Sequence, residues 1–234
     1  MYFLALATDY DGTLAEDGVV APSTVTALES FKKTGRRVVL VTGRELEDLE
    51  RVFERMDIFD RIVAENGALL YNPSTLEQRL LVPPPPAAFV EALKQRRVEP
   101  LSVGHAIIAT VQPNETKVLQ AIRDLGLEYQ IIFNKGAVMV LPTGMNKAAG
   151  LRAALAELHL SPHNVVGVGD AENDLAFLRA CGCAAAVANA LESVKAAADI
   201  RLRGKRGEGV VELMELICRE DGGIIRPVRA TQPR

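Results

Sequence analysis

The chain has 234 residues, of which 48% are hydrophobic and 24% charged, with a formal net charge of −3. This is enough for one α/β domain and a small accessory domain. Because charges of both signs are interspersed, we expect no nucleic-acid partner, which would require a clustered basic face.

The first third of the chain alternates short apolar runs with segments of helical periodicity. Continuous β-branched runs favour strands that are covered on both faces. Pro22 at a first helical position and Gly35 after the last turn are typical helix boundaries. Strands are predicted at Leu4–Thr8, Val38–Val41 and Arg61–Ala64, helices at Pro22–Gly35 and Leu46–Met56, and a small hairpin off the sheet at Ala68–Tyr71 and Leu80–Val82.

Four consecutive prolines, Pro83–Pro86, mark a boundary, since a stiff polyproline segment has no place inside a sheet. Strand pairs without long crossovers then predict an antiparallel sheet with helices on one face. The predicted elements are helices at Phe89–Arg97 and Asn114–Leu125 and strands at Ala106–Val111, Tyr129–Phe133 and Ala137–Leu141.

The parallel pattern resumes after residue 142, with a helix from Lys147, strands at Val165–Val168 and Ala184–Val187, and helices at Asp174–Ala180, Leu191–Ala198 and Gly209–Cys218. The predicted fold is therefore α/β: a Rossmann-like parallel sheet core with an inserted α+β cap. We place the discontinuous core at 1–82 and 143–220, the cap at 83–142, and a flexible tail at 221–234, which lacks periodicity.

Apolar stretches and cysteines both favour a cytoplasmic protein. No apolar run is long enough to cross a bilayer, so we expect no membrane partner. Three cysteines, Cys181, Cys183 and Cys218, do not form a disulfide framework or a zinc site and predict core-facing thiols in a reducing compartment. The oligomeric state, monomer or homodimer, is left open.

Two acids follow the first predicted strand in the sequence Asp9-Tyr10-Asp11-Gly12-Thr13. Residues i and i+2 of a strand point the same way, so both carboxylates are expected to face one site. One carboxylate could attack a phosphate ester as nucleophile while the other transfers a proton. A surface turn with acidic residues is the alternative reading of this pattern.

Thr42-Gly43-Arg44 follows the second strand and offers a hydroxyl and backbone N–H groups to a phosphoryl oxygen. Lys147, near a helix start, could neutralise charge on a nucleophile and a transferring phosphoryl group. Taken singly, each pattern is also common at ordinary strand ends and on solvated surfaces.

A third acidic motif, Gly169-Asp170-Ala171-Glu172-Asn173-Asp174, follows a later strand. Asp170 and Asp174 together with Asp9 supply hard oxygen ligands, which suit Mg²⁺. Asn173 could hydrogen-bond a phosphoryl group or orient Asp174. The Asp9, Thr42 and Asp170 motifs each follow an apolar run and are expected at the carboxyl ends of parallel strands, where open α/β sheets build their sites.

These motifs, in this order, resemble those of the haloacid dehalogenase superfamily of aspartate-nucleophile phosphatases. Asp9 through Thr13 match its first motif, Thr42 the second, Lys147 the third, and Gly169 through Asp174 the fourth. An insertion between the second and third motifs resembles the type IIB cap. The Glu65-Asn66-Gly67-Ala68 stretch also looks like that branch.

The resemblance implies a phosphoaspartate at Asp9 and general acid/base work by Asp11. It implies phosphate binding by Thr42, Gly43, Arg44, Asn66, Lys147 and Asn173, and Mg²⁺ binding by Asp9, the backbone carbonyl of Asp11, Asp170 and Asp174. The expected function is hydrolysis of a small phosphorylated metabolite, and the short cap is most similar to that of archaeal-type phosphoglycolate phosphatases. Cap residues Lys135, His105 and Arg123 are candidate substrate contacts.

Several alternatives remain open at this stage. Sugar-phosphate phosphatases of the sucrose-phosphate or mannosyl-phosphoglycerate type share the cap pattern. A phosphomutase or phosphotransferase differs only in the acceptor. A receiver-like signalling module or a regulatory, phospho-binding domain of a longer protein would be a non-enzyme, although the intact motif residues argue against a degenerate site.

Overall fold

The computed structural model describes residues 3–219; the predicted tail at 221–234 lies outside the described residues. Strands and helices are numbered in chain order. The core strands are β1 Ala5–Thr8, β2 Arg37–Val41, β3 Arg61–Ala64, β4 Leu69–Asn72, β5 Glu77–Leu80, β10 Val165–Gly169, β11 Cys183–Ala186 and β12 Ile200–Arg201. The cap strands are β6 Ser102–Val103, β7 Ile108–Val111, β8 Tyr129–Asn134 and β9 Ala137–Pro142.

The eight core strands form one sheet in the order β12-β11-β10-β1-β2-β3-β4-β5. β12 through β3 in that order run parallel, and the sheet continues through two antiparallel pairings, β3 with β4 and β4 with the edge strand β5. β1 lies between β10 and β2, so the chain leaves it toward one side of the sheet and returns on the other. Such a switch point opens a crevice at the carboxyl ends of the strands.

The helices are α1 Pro22–Lys33, α2 Leu46–Val52, α3 Ala87–Gln95, α4 Glu115–Asp124, α5 Lys147–Glu157, α6 Leu175–Ala180, α7 Glu192–Ala197 and α8 Arg206–Arg219. In the core, α1 packs on α8, whereas α5 packs on α6 and on β2, β3 and β4. The cap sheet has the order β6-β7-β9-β8 and is antiparallel throughout.

Three apolar clusters hold these layers together. The largest surrounds the core sheet, and the second joins the cap sheet to α3 and α4. In the third, Ala68 of the core packs with the cap residues Ile107, Met139 and Leu141. The cap sheet is therefore covered on both faces, by its own helices and by the core, which positions its β8–β9 end over the core crevice.

Three details of the predicted elements were wrong. The hairpin lies in the core sheet, and its second strand is Glu77–Leu80, not Leu80–Val82. This strand is exposed and polar because it is the sheet edge, so its sequence lacks an apolar pattern. Helix α2 ends at Val52, since Phe53 is extended and its ring packs against Phe59 at 5.8 Å.

No helix in the range 3–219 is long and apolar enough to cross a membrane.

Candidate active site

A buried lysine lies between two buried carboxylates at the carboxyl end of the sheet. Lys147 Nζ donates to Asp9 Oδ1 at 2.5 Å and to Asp174 Oδ1 at 2.6 Å. Asp9 directly follows β1, and Lys147 is the first residue of α5. Asn146 caps that helix, its Oδ1 accepting from the backbone N–H of Ala149 at 3.1 Å. Residues far apart in sequence thus form one charged cluster.

Two glycines allow α5 to approach closely enough to deliver Lys147. A Cβ on Gly67 would lie 2.1 Å from the carbonyl oxygen of Asn146, and a Cβ on Gly150 would lie 2.4 Å from a methyl carbon of Val63. Neither distance is possible for a larger residue. The helix therefore packs directly on the turn that follows β3, and its first residue reaches the end of β1.

Asp174 is held rigidly by the turn after β10. Its Oδ2 accepts from the backbone N–H groups of Asp170 and Ala171 at 2.8 and 3.0 Å. A Cβ on Gly169 would lie 2.6 Å from this oxygen, so glycine is needed there. With its other oxygen on Lys147, Asp174 orients the lysine and the turn that carries Asp170.

Asp170 faces the same crevice from the other side. Its Oδ1 accepts from Thr13 Oγ1 at 3.2 Å, and its Oδ2 accepts from Lys135 Nζ at 2.6 Å. Lys135 belongs to the tight turn between β8 and β9, so this ion pair joins the cap to the core. Gly12 leaves the space for it, because a Cβ there would lie 2.9 Å from Lys135 Nζ.

Asp9, Asp170 and Asp174 fit a hard divalent cation. All three are buried, and one oxygen of each lies within 4.8 Å of the others. Asp174 is held by the buried Lys147 and by two backbone N–H groups, whereas Asp170 pairs with the half-exposed Lys135, so Asp170 can exchange its partner for a cation more readily than Asp174. Mg²⁺ is commonly bound through one or two carboxylates plus substrate phosphate, and this donor set matches that pattern. The Asp11 side chain lies outside the cluster.

The electrostatics of the cluster also favour a cation. Burial, reinforced by the charge of Asp174, raises the pKa of the Asp9 carboxyl to about 7, against the opposing effect of Lys147. Burial likewise raises the pKa of Asp170, although Lys135 acts in the other direction. Burial by itself would lower the pKa of Lys147, but the charges of Asp174 and Asp9 outweigh it and raise that pKa. Additional positive charge would therefore stabilise the ionised carboxylates.

The Asp11 carboxylate pairs with Arg44 and is not part of the cluster of Asp9, Asp170 and Asp174, so the strand-based expectation of one shared site is not met. Arg44 binds it through two hydrogen bonds of 2.7 Å and also contacts Asp48 at 2.5 Å. The expectation was wrong because β1 ends at Thr8, so the alternation of a regular strand no longer applies at Asp11. In this structure Arg44 is paired with carboxylates, and its role in phosphate binding stays a prediction.

The remaining predicted phosphate-binding residues lie on three neighbouring turns, those that follow β2, β3 and β10. Thr42 is buried, and its Oγ1 accepts from the backbone N–H of Arg44 at 3.1 Å. Asn66, with a φ of 53°, donates its backbone N–H to the carbonyl of Thr42 at 3.0 Å. Asn173 Nδ2 donates to Asn66 Oδ1 at 3.4 Å. Gly43 lies against the cap, since a Cβ there would be 3.4 Å from Met139 Sδ.

Glu65 is a site residue that the motifs did not single out. This buried core carboxylate accepts three backbone N–H groups from the cap loop, those of His105, Ala106 and Ile107, at 2.7–2.9 Å. Its φ of 49° aims the side chain out of the β3 turn. In the sequence, Glu65 directly follows a predicted strand and belongs to the Glu65–Ala68 stretch that resembles the type IIB branch, but neither signal distinguishes a cap anchor from a ligand.

The three predicted cap contacts have different positions. Lys135 reaches the acidic cluster. His105 Nε2 pairs with Glu47 Oε1 of the core at 2.6 Å and so bridges cap and core. Arg123 lies on α4 and lines a surface cavity with Thr116 and Asp124, on the helical side of the cap. The interpretation of Arg123 as a substrate contact is therefore not supported.

Comparison of the chain with known protein families finds a match. The model of haloacid dehalogenase-like hydrolases matches residues 6–128 and 105–214. The chain belongs to the haloacid dehalogenase-like hydrolases. The predicted family, fold and enzyme class, a phosphatase of this superfamily, are thereby confirmed.

Individual proteins resemble the chain over nearly its whole length. A phosphoglycolate phosphatase from Methanopyrus kandleri is 28% identical over 231 residues, covering 91% of this chain and 96% of the relative. A Thermoplasma acidophilum protein of solved structure has a TM-score of 0.78 and 15% identity, covering 93% of this chain and 99% of its own. A subclass IIB sugar phosphatase has a TM-score of 0.72 and 19% identity, covering 92% of this chain and 98% of its own.

Proposed function

We propose that the chain is a Mg²⁺-dependent phosphatase that hydrolyses a small phosphorylated metabolite, phosphoglycolate first among the candidates, through a phosphoaspartate at Asp9. The observation that carries this proposal is the buried contact of Lys147 with both Asp9 and Asp174 beside Asp170. The name of the Methanopyrus kandleri relative supports the choice of substrate.

The first step would form a bond between an Asp9 carboxylate oxygen and phosphorus while the bond from phosphorus to the leaving oxygen breaks. Asp11 would give its proton to that leaving oxygen, after leaving its pair with Arg44. Lys147 would keep Asp9 ionised and stabilise charge on the phosphoryl oxygens together with the Thr42 turn. Mg²⁺, when bound by Asp9, the Asp11 carbonyl and Asp170 with Asp174 behind them, supplies charge neutralisation for the transferring group.

The second step would hydrolyse the phosphoaspartate. Asp11, now ionised, would take a proton from water as its oxygen bonds to phosphorus, and the Asp9 carboxylate would be released. The cap, held to the core by Glu65 and the Ala68 cluster, would exclude other water from the crevice. Gly43, Asn66 and Asn173 would line the phosphate position, and the hydrogen bond between Asn173 and Asn66 supports this role.

The test is phosphate release from a panel of phosphoglycolate, phosphoglycerates, and hexose and disaccharide phosphates, with and without Mg²⁺. Asp9→Asn should lose at least about 10⁴-fold in kcat, because the amide cannot serve as nucleophile. If the protein preferred a sugar phosphate, that compound would replace phosphoglycolate as the proposed substrate. No turnover of any compound by the folded protein would overturn phosphatase activity and favour a regulatory or phospho-binding domain.

The cytoplasmic location and a monomeric or homodimeric state are kept as parts of this proposal. The burial of Cys181 and Cys183 supports the expectation of core-facing thiols. Light scattering on the purified protein would measure its mass in solution and test the oligomeric state.

A further inference from the structure

The β8–β9 turn places one cap cation directly in the active site. Lys135 has a φ of 47° and is followed by Gly136, which makes the turn tight and projects the lysine toward the core. Its Nζ lies 2.6 Å from Asp170 Oδ2. Among the salt bridges of residues 3–219, Lys135 is the cap lysine whose ammonium pairs with a predicted metal-binding acid, Asp170.

Lys135 differs from Lys147 in its freedom to change partners. The Lys147 side chain is 2% exposed and is held by two carboxylates, whereas that of Lys135 is 49% exposed and has one carboxylate partner. A lysine at the tip of a hairpin has a flexible four-carbon stem. Once Asp170 serves as a metal ligand, its charge is shared with the metal, and the ammonium of Lys135 becomes available to bind another anion.

The position of the turn indicates where that anion would come from. In-line attack by Asp9 places the leaving group on the far side of phosphorus from the core. The cap covers that side, with Met139 next to Gly43 and the β8 strand against the turn of Glu172–Asp174. An ammonium that enters from the cap therefore meets the leaving part of the substrate.

Two buried amide oxygens in this region have no hydrogen-bond partner among the described residues. They are Oδ1 of Asn134, which precedes Lys135, and Oδ1 of Asn173. Asn134 lies two residues after Ile132, which packs in the cap–core cluster, so both are on the core-facing side of β8. Buried polar atoms without partners mark places where a ligand or water completes the hydrogen bonds.

We propose that Lys135 is the specificity-determining residue of the cap: its ammonium binds an anionic group on the leaving part of the substrate. The site would then favour small phosphate monoesters that carry a carboxylate close to the phosphate. This inference rests on the proposed phosphatase function and deepens it by naming the chemical class of the substrate.

The experiment compares phosphoglycolate with ethyl phosphate, which has the same chain length but no carboxylate. Lys135→Met should lower kcat/KM for phosphoglycolate by about 10- to 100-fold, the effect of losing a charge-assisted hydrogen bond, mainly through KM. For ethyl phosphate the change should stay within about threefold. Lys135→Arg should recover most of the preference because it restores the charge.

Lys94→Met is the matched control, since Lys94 is an exposed lysine of the cap helix α3. It should leave both substrates unchanged. A second readout needs no turnover: calorimetry of metal-free protein should show Mg²⁺ binding to Lys135→Met about two- to fivefold more tightly, because the ammonium competes for Asp170.

Equal losses on both substrates in Lys135→Met would overturn the inference while leaving the phosphatase function in place. If Lys135→Met bound Mg²⁺ with the affinity of the wild type, Lys135 and the metal would not compete for Asp170, and the inference would be overturned. If the wild-type protein hydrolysed neither ester, the inference would fail. Turnover of any other compound in the substrate panel would then leave the phosphatase function in place, and no turnover of the whole panel would overturn both.

Discussion

Individual side chains in this site differ most in how completely they are buried. Lys147 and Asp174 are almost inaccessible to solvent, and each satisfies the charge of the other. Removing one partner of such a pair leaves an uncompensated buried charge, which is far more costly than the pair itself is favourable. Lys135 also pairs with a buried acid but is half exposed, so water can replace it.

The substitution Lys147→Met should therefore lower the free energy of unfolding by about 3–5 kcal/mol. Lys135→Met, the matched control, should lower it by less than about 1 kcal/mol. Urea denaturation of metal-free protein measures both. Equal effects of the two substitutions would show that Lys147 is not the electrostatic centre of the folded core.

At this scale the motifs located the charged residues but not their partners. Asp9, Asp170 and Asp174 come together as their positions after strands predicted, and Lys147 joins them from the start of α5. The pairing of Asp11 with Arg44 could not be predicted, because a residue beyond a strand end has no fixed facing direction. Lys135 was among the candidates, yet its contact with Asp170 depends on how the cap docks.

The cap and helix α5 both contact one loop of the core, the loop that follows β3. Glu65 extends from this loop into the cap and accepts the three N–H groups of residues 105–107, while Gly67 next to it contacts the start of α5. One short turn thus fixes both the cap and Lys147. A helix or strand pattern carries no information about such a turn, since its function comes from contacts on both sides.

Glu65→Ala should lower the free energy of unfolding by about 2–5 kcal/mol, because three backbone donors lose their acceptor. Glu45→Ala is the control: its carboxylate also crosses to the cap, accepting from Ser102 Oγ, but at an exposed position. There the loss should be within about 0.5 kcal/mol. Denaturation, together with amide exchange at residues 105–107, tests the difference; slow exchange in Glu65→Ala would contradict it.

The whole molecule consists of a core and a cap joined by polar and apolar contacts. The apolar contact is the cluster in which Ala68 of the core packs with Ile107, Met139 and Leu141 of the cap. The His105–Glu47 pair supplies an ionic contact on the surface. The hydrogen bond with Glu47 raises the pKa of His105 above its usual value, partly opposed by burial, with Glu65 and Glu45 adding to the rise. The hydrogen bond with His105 lowers the pKa of Glu47.

The sign of the resulting pH dependence follows from these directions. The folded pKa of His105 exceeds the unfolded value of about 6.5, so its contribution is complete below that pH and is lost as pH rises through the folded pKa. The Glu47 contribution is lost as pH falls through its lowered pKa. The pair therefore stabilises the cap most at mildly acidic pH, by less than about 1 kcal/mol given its exposure.

The measurement compares wild type with His105→Gln by denaturation at pH 6 and pH 8.5. The free energy of unfolding of the wild type should exceed that of His105→Gln at pH 6, and by a smaller amount at pH 8.5. If the difference in the free energy of unfolding between the two proteins did not change with pH, His105 would make no ionic contribution to stability.

By itself, the sequence determined the α/β core, the insertion of an α+β segment and the order of the acidic motifs. Local apolar runs, glycine turns and strand-end motifs depend on neighbours in the chain and are readable there. Only the tertiary structure decided that Asp11 pairs with Arg44, that β4 and β5 extend the sheet, that Glu65 anchors the cap and that Lys135 meets Asp170. Each of these depends on packing between segments distant in sequence, where close approach and burial select one partner among several of equal local propensity.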